Sequence, residues 1–156
     1  MMARINFTEV QSQSFEAIPA GMYWLKITDA TETATKNEGK LPAGTEGINW
    51  EFTVQAGKFE NRKLWTNHWL HPRTLGMLKD MMAKLTDDEG ELVYKDGELD
   101  TELDFDNSEL FGYNIVAKVA VRQYEGDDRN DIKGFRRWDP EKDYSDVEES
   151  SGSFLP

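Results

Sequence analysis

Hydrophobic and polar positions alternate in four stretches of this chain and recur at helical spacing in another. Residues 22–30 put Tyr23, Leu25 and Ile27 on one face and Trp24, Lys26 and Thr28 on the other, the period-two pattern of a half-buried strand. Residues 48–55 set Ile48, Trp50, Phe52 and Val54 against Asn49, Glu51, Thr53 and Gln55. Residues 63–70 set Leu64, Thr66, His68 and Leu70 against Lys63, Trp65, Asn67 and Trp69. The period then changes. Leu75, Leu78, Met81, Met82 and Leu85 follow at spacings of three and four, so the pattern predicts an amphipathic helix over 72–85, with Pro72 suited to its first turn. Alternation returns over 113–124, where Ile115, Ala117, Val119 and Val121 oppose Val116, Lys118, Ala120, Arg122 and Tyr124. A polar turn is expected at 125–130 and a last strand at 131–138.

Three strands, one helix and two strands in that order describe a mainly β domain. A five-stranded OB-like Greek-key barrel has this order, with its helix between strands three and four. Alternating strands also suit an antiparallel sheet with one wet face, and a β-sandwich with one helix is the structural competitor. The domain covers 1–138. It includes an N-terminal arm over 1–20 and an acidic insertion over 86–109, before strand four. Residues 139–156 lack any periodicity, carry one base (Lys142) among six acids, and read as a disordered tail ending Phe154-Leu155-Pro156.

Charge sharpens this picture. The net charge of −12 is unevenly spread. The insertion holds eleven acids and one base, and the tail is also acidic, so the remaining body is mildly basic. With no cysteine, disulfides and thiolate metal sites are excluded. The start, MMARINFTEV, lacks the apolar stretch of a signal peptide, and no run approaches a membrane span. A cytoplasmic protein without membrane contact is expected.

The polar strand faces combine flat rings with cations, the chemistry that grips an unpaired nucleic-acid strand. Trp24 and Lys26 share one face; Lys63, Trp65 and Trp69 share another, with Arg62 beside them; Lys118, Arg122 and Tyr124 share a third. Lys133, Phe135, Arg136, Arg137 and Trp138 form a basic aromatic cluster before the tail, and Lys36, Lys40, Arg73 and Arg129 add cations in loops. A strand tryptophan is otherwise a core residue, and a charged edge strand otherwise guards against aggregation. What favours binding is that Trp24, Trp65 and Trp69 each oppose the apolar face of their own strand. In the tail, Asp146, Glu148, Glu149, Phe154 and Leu155 suit docking on a partner or competition for the cationic surface. Catalytic signals are thin. His68 and His71 have no third ligand placed near them, GxxxxGK[ST] is absent, and no catalytic residue, metal or cofactor is assigned.

These features resemble the phage and prophage single-stranded DNA-binding proteins found among recombination and annealing genes. The similarity lies in Pro19-Ala20-Gly21-Met22-Tyr23, Thr35-Lys36, Trp50-Glu51-Phe52-Thr53-Val54, Gly57-Lys58-Phe59-Glu60-Asn61-Arg62-Lys63-Leu64-Trp65, the stretch 112–121, Tyr124-Glu125-Gly126 and Asn130-Asp131-Ile132. It spans about 19–138. The resemblance implies sequence-independent coating of single-stranded DNA in phage replication or recombination, and a tail that recruits replication or recombination proteins. This tail ends Phe-Leu-Pro, where tails of that group end on Phe, and the acidic insertion is a second departure. A monomer and a dimer both remain open. The alternative is an acidic, DNA-mimicking interaction protein whose active surface is the insertion.

Overall fold

The computed structural model describes residues 17–36, 39–95, 97–100 and 106–145. Most of the arm, the centre of the acidic insertion (101–105) and the tail beyond Ser145 lie outside the described residues.

Five strands form: β1 (Gly21–Ala34), β2 (Glu46–Val54), β3 (Lys63–Trp69), β4 (Asn114–Tyr124) and β5 (Asp127–Arg136). One helix, α1 (Leu75–Lys84), lies between β3 and β4. The strands make a single antiparallel sheet in the order β3-β2-β1-β4-β5. The sheet is open, with β3 and β5 as its edges. It nevertheless curls until the inner side chains of both edges meet: the His68 ring lies 6.2 Å from that of Phe135, which is 6.0 Å from that of Phe52. Irregularities at Ile27/Asp29 in β1 and at Lys118/Val119 in the β4–β5 pairing supply local bends.

Alternation decides what faces inward. Tyr23, Leu25, Ile27, Trp50, Phe52, Val54, Leu64, Ile115, Ala117 and Val119 are buried together. The helix adds Leu78, Met81 and Met82 and packs against β3 and β5. It begins at Leu75, not Pro72, because Pro72 and Arg73 belong to a turn closed by the Thr74 and Leu75 N–H groups on the His71 carbonyl. The end of the expected arm is part of the core. Ile18 is sealed, its N–H donates to Asn130 Oδ1, and Asn130 Nδ2 donates back to its carbonyl.

The polar turn expected at 125–130 is only two residues long. Glu125 and Gly126 both take positive φ, as the tight turns of hairpins require, and β5 starts at Asp127. The hairpin tip projects beyond the core, so its pairing needs no apolar alternation. The start of the acidic insertion is also ordered. Thr86 bridges both Leu92 and Asn114, closing a short turn onto β4.

Candidate nucleic-acid interface

Trp65 stands on the outer face of β3 with half its surface exposed (51 %). Across the open seam lie Arg122, Arg129 and Lys133, and the space between is a groove of about 680 Å³. Asn49 and Asn67 form its floor, where Asn49 Nδ2 donates to Asn67 Oδ1 at 2.6 Å across the β2–β3 pair. One carboxylate intrudes. Asp131 accepts from Arg122 Nε at 2.8 Å and pairs with Lys133 at 3.8 Å. The groove therefore offers three cations against one acid, beside an accessible indole and an amide pair.

A second concavity follows the same strand. Trp69, Leu41, Lys40, Arg73 and Thr74 line a slot of about 560 Å³ between the β1–β2 loop and the start of α1. Arg73 Nη1 donates to the Lys40 carbonyl at 3.2 Å and so ties the two walls together.

Other expected contact residues have different roles. Trp24 is stacked on Trp138, centroids 4.8 Å apart at 19°, and Tyr144 lies 6.0 Å away. Trp24 Nε1 also donates to Asn114 Oδ1. Lys26 pairs with Asp88 at 3.1 Å, and the Asp88 carboxyl is held below its ordinary range first by the Asn114 amide and then by Lys26. Arg137 donates to the Gly90 carbonyl at 2.6 Å. Residues 138–145 and the turn at 87–90 thus cover the β1 part of the wet face, making Trp24 and Trp138 partners of each other. Phe135 points to the inner side and is a core residue.

Lys63 shares the outer face with Thr28, Glu51 and Thr53. It donates to Thr53 Oγ1 at 2.7 Å and lies 3.7 Å from Glu51. Arg62 is half-buried beside Tyr23. Burial pushes the Tyr23 hydroxyl up to about 12 against the opposing Arg62 charge, and the hydroxyl donates to the Pro19 carbonyl. Lys36, Lys118 and Arg136 are exposed and line neither concavity, although Lys36 follows Thr35 of the slot. Tyr124 ends β4 opposite Asp127, with its side chain outside the described part. Asp146, Glu148, Glu149, Phe154 and Leu155 lie outside the described residues. The two histidines do not converge: His68 is buried in the core, while His71 accepts the Arg73 N–H.

Sequence reasoning missed Asn49, Asn67 and Leu41. Asn49 and Asn67 were visible as polar-face positions flanking Trp65, but their pairing depends on the β2–β3 register. Among the described residues, no helix is long and apolar enough to cross a membrane. The profile of a family described as "Protein of unknown function (DUF669)" matches residues 5–147, and the chain belongs to that family. No curated protein matches it.

Proposed function

We propose that this DUF669 protein binds single-stranded DNA with little sequence preference, along the outer face of β2 and β3. The observation that carries this reading is the exposed Trp65 facing Arg122, Arg129 and Lys133 across an open groove. An indole offers a stacking surface to any base, and guanidinium and ammonium groups attract phosphates regardless of sequence. The strand order, with β3 and β5 approaching each other, fits an OB-like barrel whose seam lacks hydrogen bonds. In that architecture the face of strands two and three and the loops joining strands one to two and four to five bind oligonucleotides. Here the β3 face holds Trp65 and Trp69, the loop from β1 to β2 holds Lys40 and Leu41, and Arg122 and Arg129 are a cross-strand pair on β4 and β5 close to the turn that joins them. Coating of single strands is the role this chemistry fits, and the setting in phage replication or recombination is what the resemblance adds to the proposal.

The test is a fluorescence titration with oligo-dT and with duplex DNA. Trp24, Trp50 and Trp138 are covered or buried, so quenching reports on Trp65 and Trp69. Oligo-dT should quench and duplex should bind more weakly; absence of quenching sinks the reading and leaves the acidic-mimic alternative. The tail is assigned competition for the groove and recruitment of partners. Its deletion should begin at Asp146, because Tyr144 and Ser145 pack on Trp24 and Gly57. Tighter oligo-dT binding by the truncated protein supports competition; unchanged or weaker binding removes it.

A further inference from the structure

Trp69 is held differently from Trp65. Gly47 pairs with it across β2–β3, and a Cβ at Gly47 would overlap the ring atoms Cε3 and Cζ3. The indole therefore lies over the bare backbone of β2, where only glycine leaves room. A ring supported this way is a fixed platform. Leu41, which is buried, forms an apolar wall of the same slot, and Lys40 and Arg73 bring two cations to its rim. Thr74, also in the lining, turns its hydroxyl back to the Trp69 carbonyl at 2.9 Å and leaves the N-terminus of α1 without a side-chain cap. An apolar slot, one flat ring and two cations are complementary to a planar base joined to a phosphate.

We propose that the Trp69–Leu41–Arg73 slot is a nucleotide subsite: a base stacks on Trp69 while its phosphate lies between the Lys40 and Arg73 side chains. This deepens the proposed function, since the slot continues the β3 path that begins at Trp65, about 13 Å away at the usual strand rise. The same chemistry would accept a free mononucleotide or the end of a strand.

The test uses the Trp65→Phe protein, in which Trp69 is the accessible indole of the path. Thymidine 5′-monophosphate should quench it saturably, thymidine should bind more weakly, and Arg73→Gln or Lys40→Gln in that background should weaken the nucleotide by at least about fivefold. Both positions are exposed, and Lys40→Gln keeps the backbone carbonyl that accepts from Arg73, so it removes charge without untying the walls of the slot. Oligo-dT with a 5′-phosphate should displace the mononucleotide more effectively than unphosphorylated oligo-dT if a 5′ strand end is the natural occupant. Equal displacement assigns the slot to a through-going strand, and no displacement to a free nucleotide. Absence of saturable quenching, or indifference to both charge substitutions, overturns the subsite. If the wild type still binds oligo-dT in that case, the groove reading stands alone. If the mononucleotide binds while oligo-dT does not, the subsite stands and the groove reading falls.

Discussion

Trp65 and His68 sit three positions apart on β3 and point to opposite sides, and each makes a sharp prediction. Trp65 is half in solvent and lies outside the core, so Trp65→Ala should cost on the order of 1–2 kcal/mol of stability, less than deleting a core ring, and leave the protein folded. It should still weaken oligo-dT binding by about 1–3 kcal/mol, roughly 5- to 150-fold, and the two outcomes are separated by thermal melts and titration. His68 is 3 % exposed, faces Phe135, and has a buried Nδ1 without a hydrogen-bond partner. Burial lowers its pKa from 6.5 to about 4. Between those values the unfolded chain takes up a proton that the folded chain refuses. The contribution is complete above pH 6.5 and is lost as pH falls toward 4, to a total of about 3 kcal/mol. Urea melts of the wild type should lose about that much more stability between pH 7 and 4 than melts of His68→Leu. Equal losses would show that the seam between β3 and β5 admits water.

At the scale of elements, the alternating strands were legible because each has one face in the core, and the register that opposes Trp24, Trp65 and Trp69 to their apolar neighbours is the one observed. What was not legible is what covers a wet face. Trp24 and Trp138 lie at opposite ends of the sequence, and nothing local announces that Trp138 stacks on Trp24 instead of on a base. The end of β4 at Tyr124 was legible, but the start of β5 was blurred for the opposite reason, since residues 127–130 leave the core and carry no apolar alternation. The slot around Trp69 depends on a glycine whose importance appears only once Gly47 and Trp69 are paired. The strap formed by 138–145 also depends on a glycine. Gly90 has φ +86°, and a Cβ there would lie 2.7 Å from the Pro140 ring. Gly90→Ala should therefore cost more than about 1 kcal/mol and loosen the strap. Red-shifted tryptophan emission and easier acrylamide quenching would report the uncovering of Trp24; unchanged emission with lower stability would mean that the turn at 87–90 gives way and the stack persists.

Over the whole molecule, the proposed function requires that a chain of net charge −12 attract a polyanion. Separation is the answer the structure supports. The first acids of the insertion, Asp87 and Asp88, are bound to backbone N–H groups, Asn114 and Lys26 on the β1–β4 side, while Arg122, Arg129 and Lys133 face Trp65 at the seam between β3 and β5. At ordinary ionic strength the screening length is about 8–10 Å, so nearby cations govern a bound phosphate more than distant acids do. With three cations in the groove and two at the slot, log K against log salt should have a slope on the order of −3 for a single strand. Asp131 is the exception, an acid inside the groove bonded to Arg122 and 3.8 Å from Lys133. It holds those cations in place and also competes with phosphate for them. In the complex the phosphate gains if the acid is removed, because screening over so short a distance is weak. Asp131→Asn keeps an acceptor for Arg122, removes one negative charge, and should tighten oligo-dT binding several-fold while steepening the salt slope. Weaker binding by Asp131→Asn would mean that the carboxylate's positioning of Arg122 outweighs its repulsion, and tighter binding with an unchanged slope would place the phosphates somewhere other than this groove.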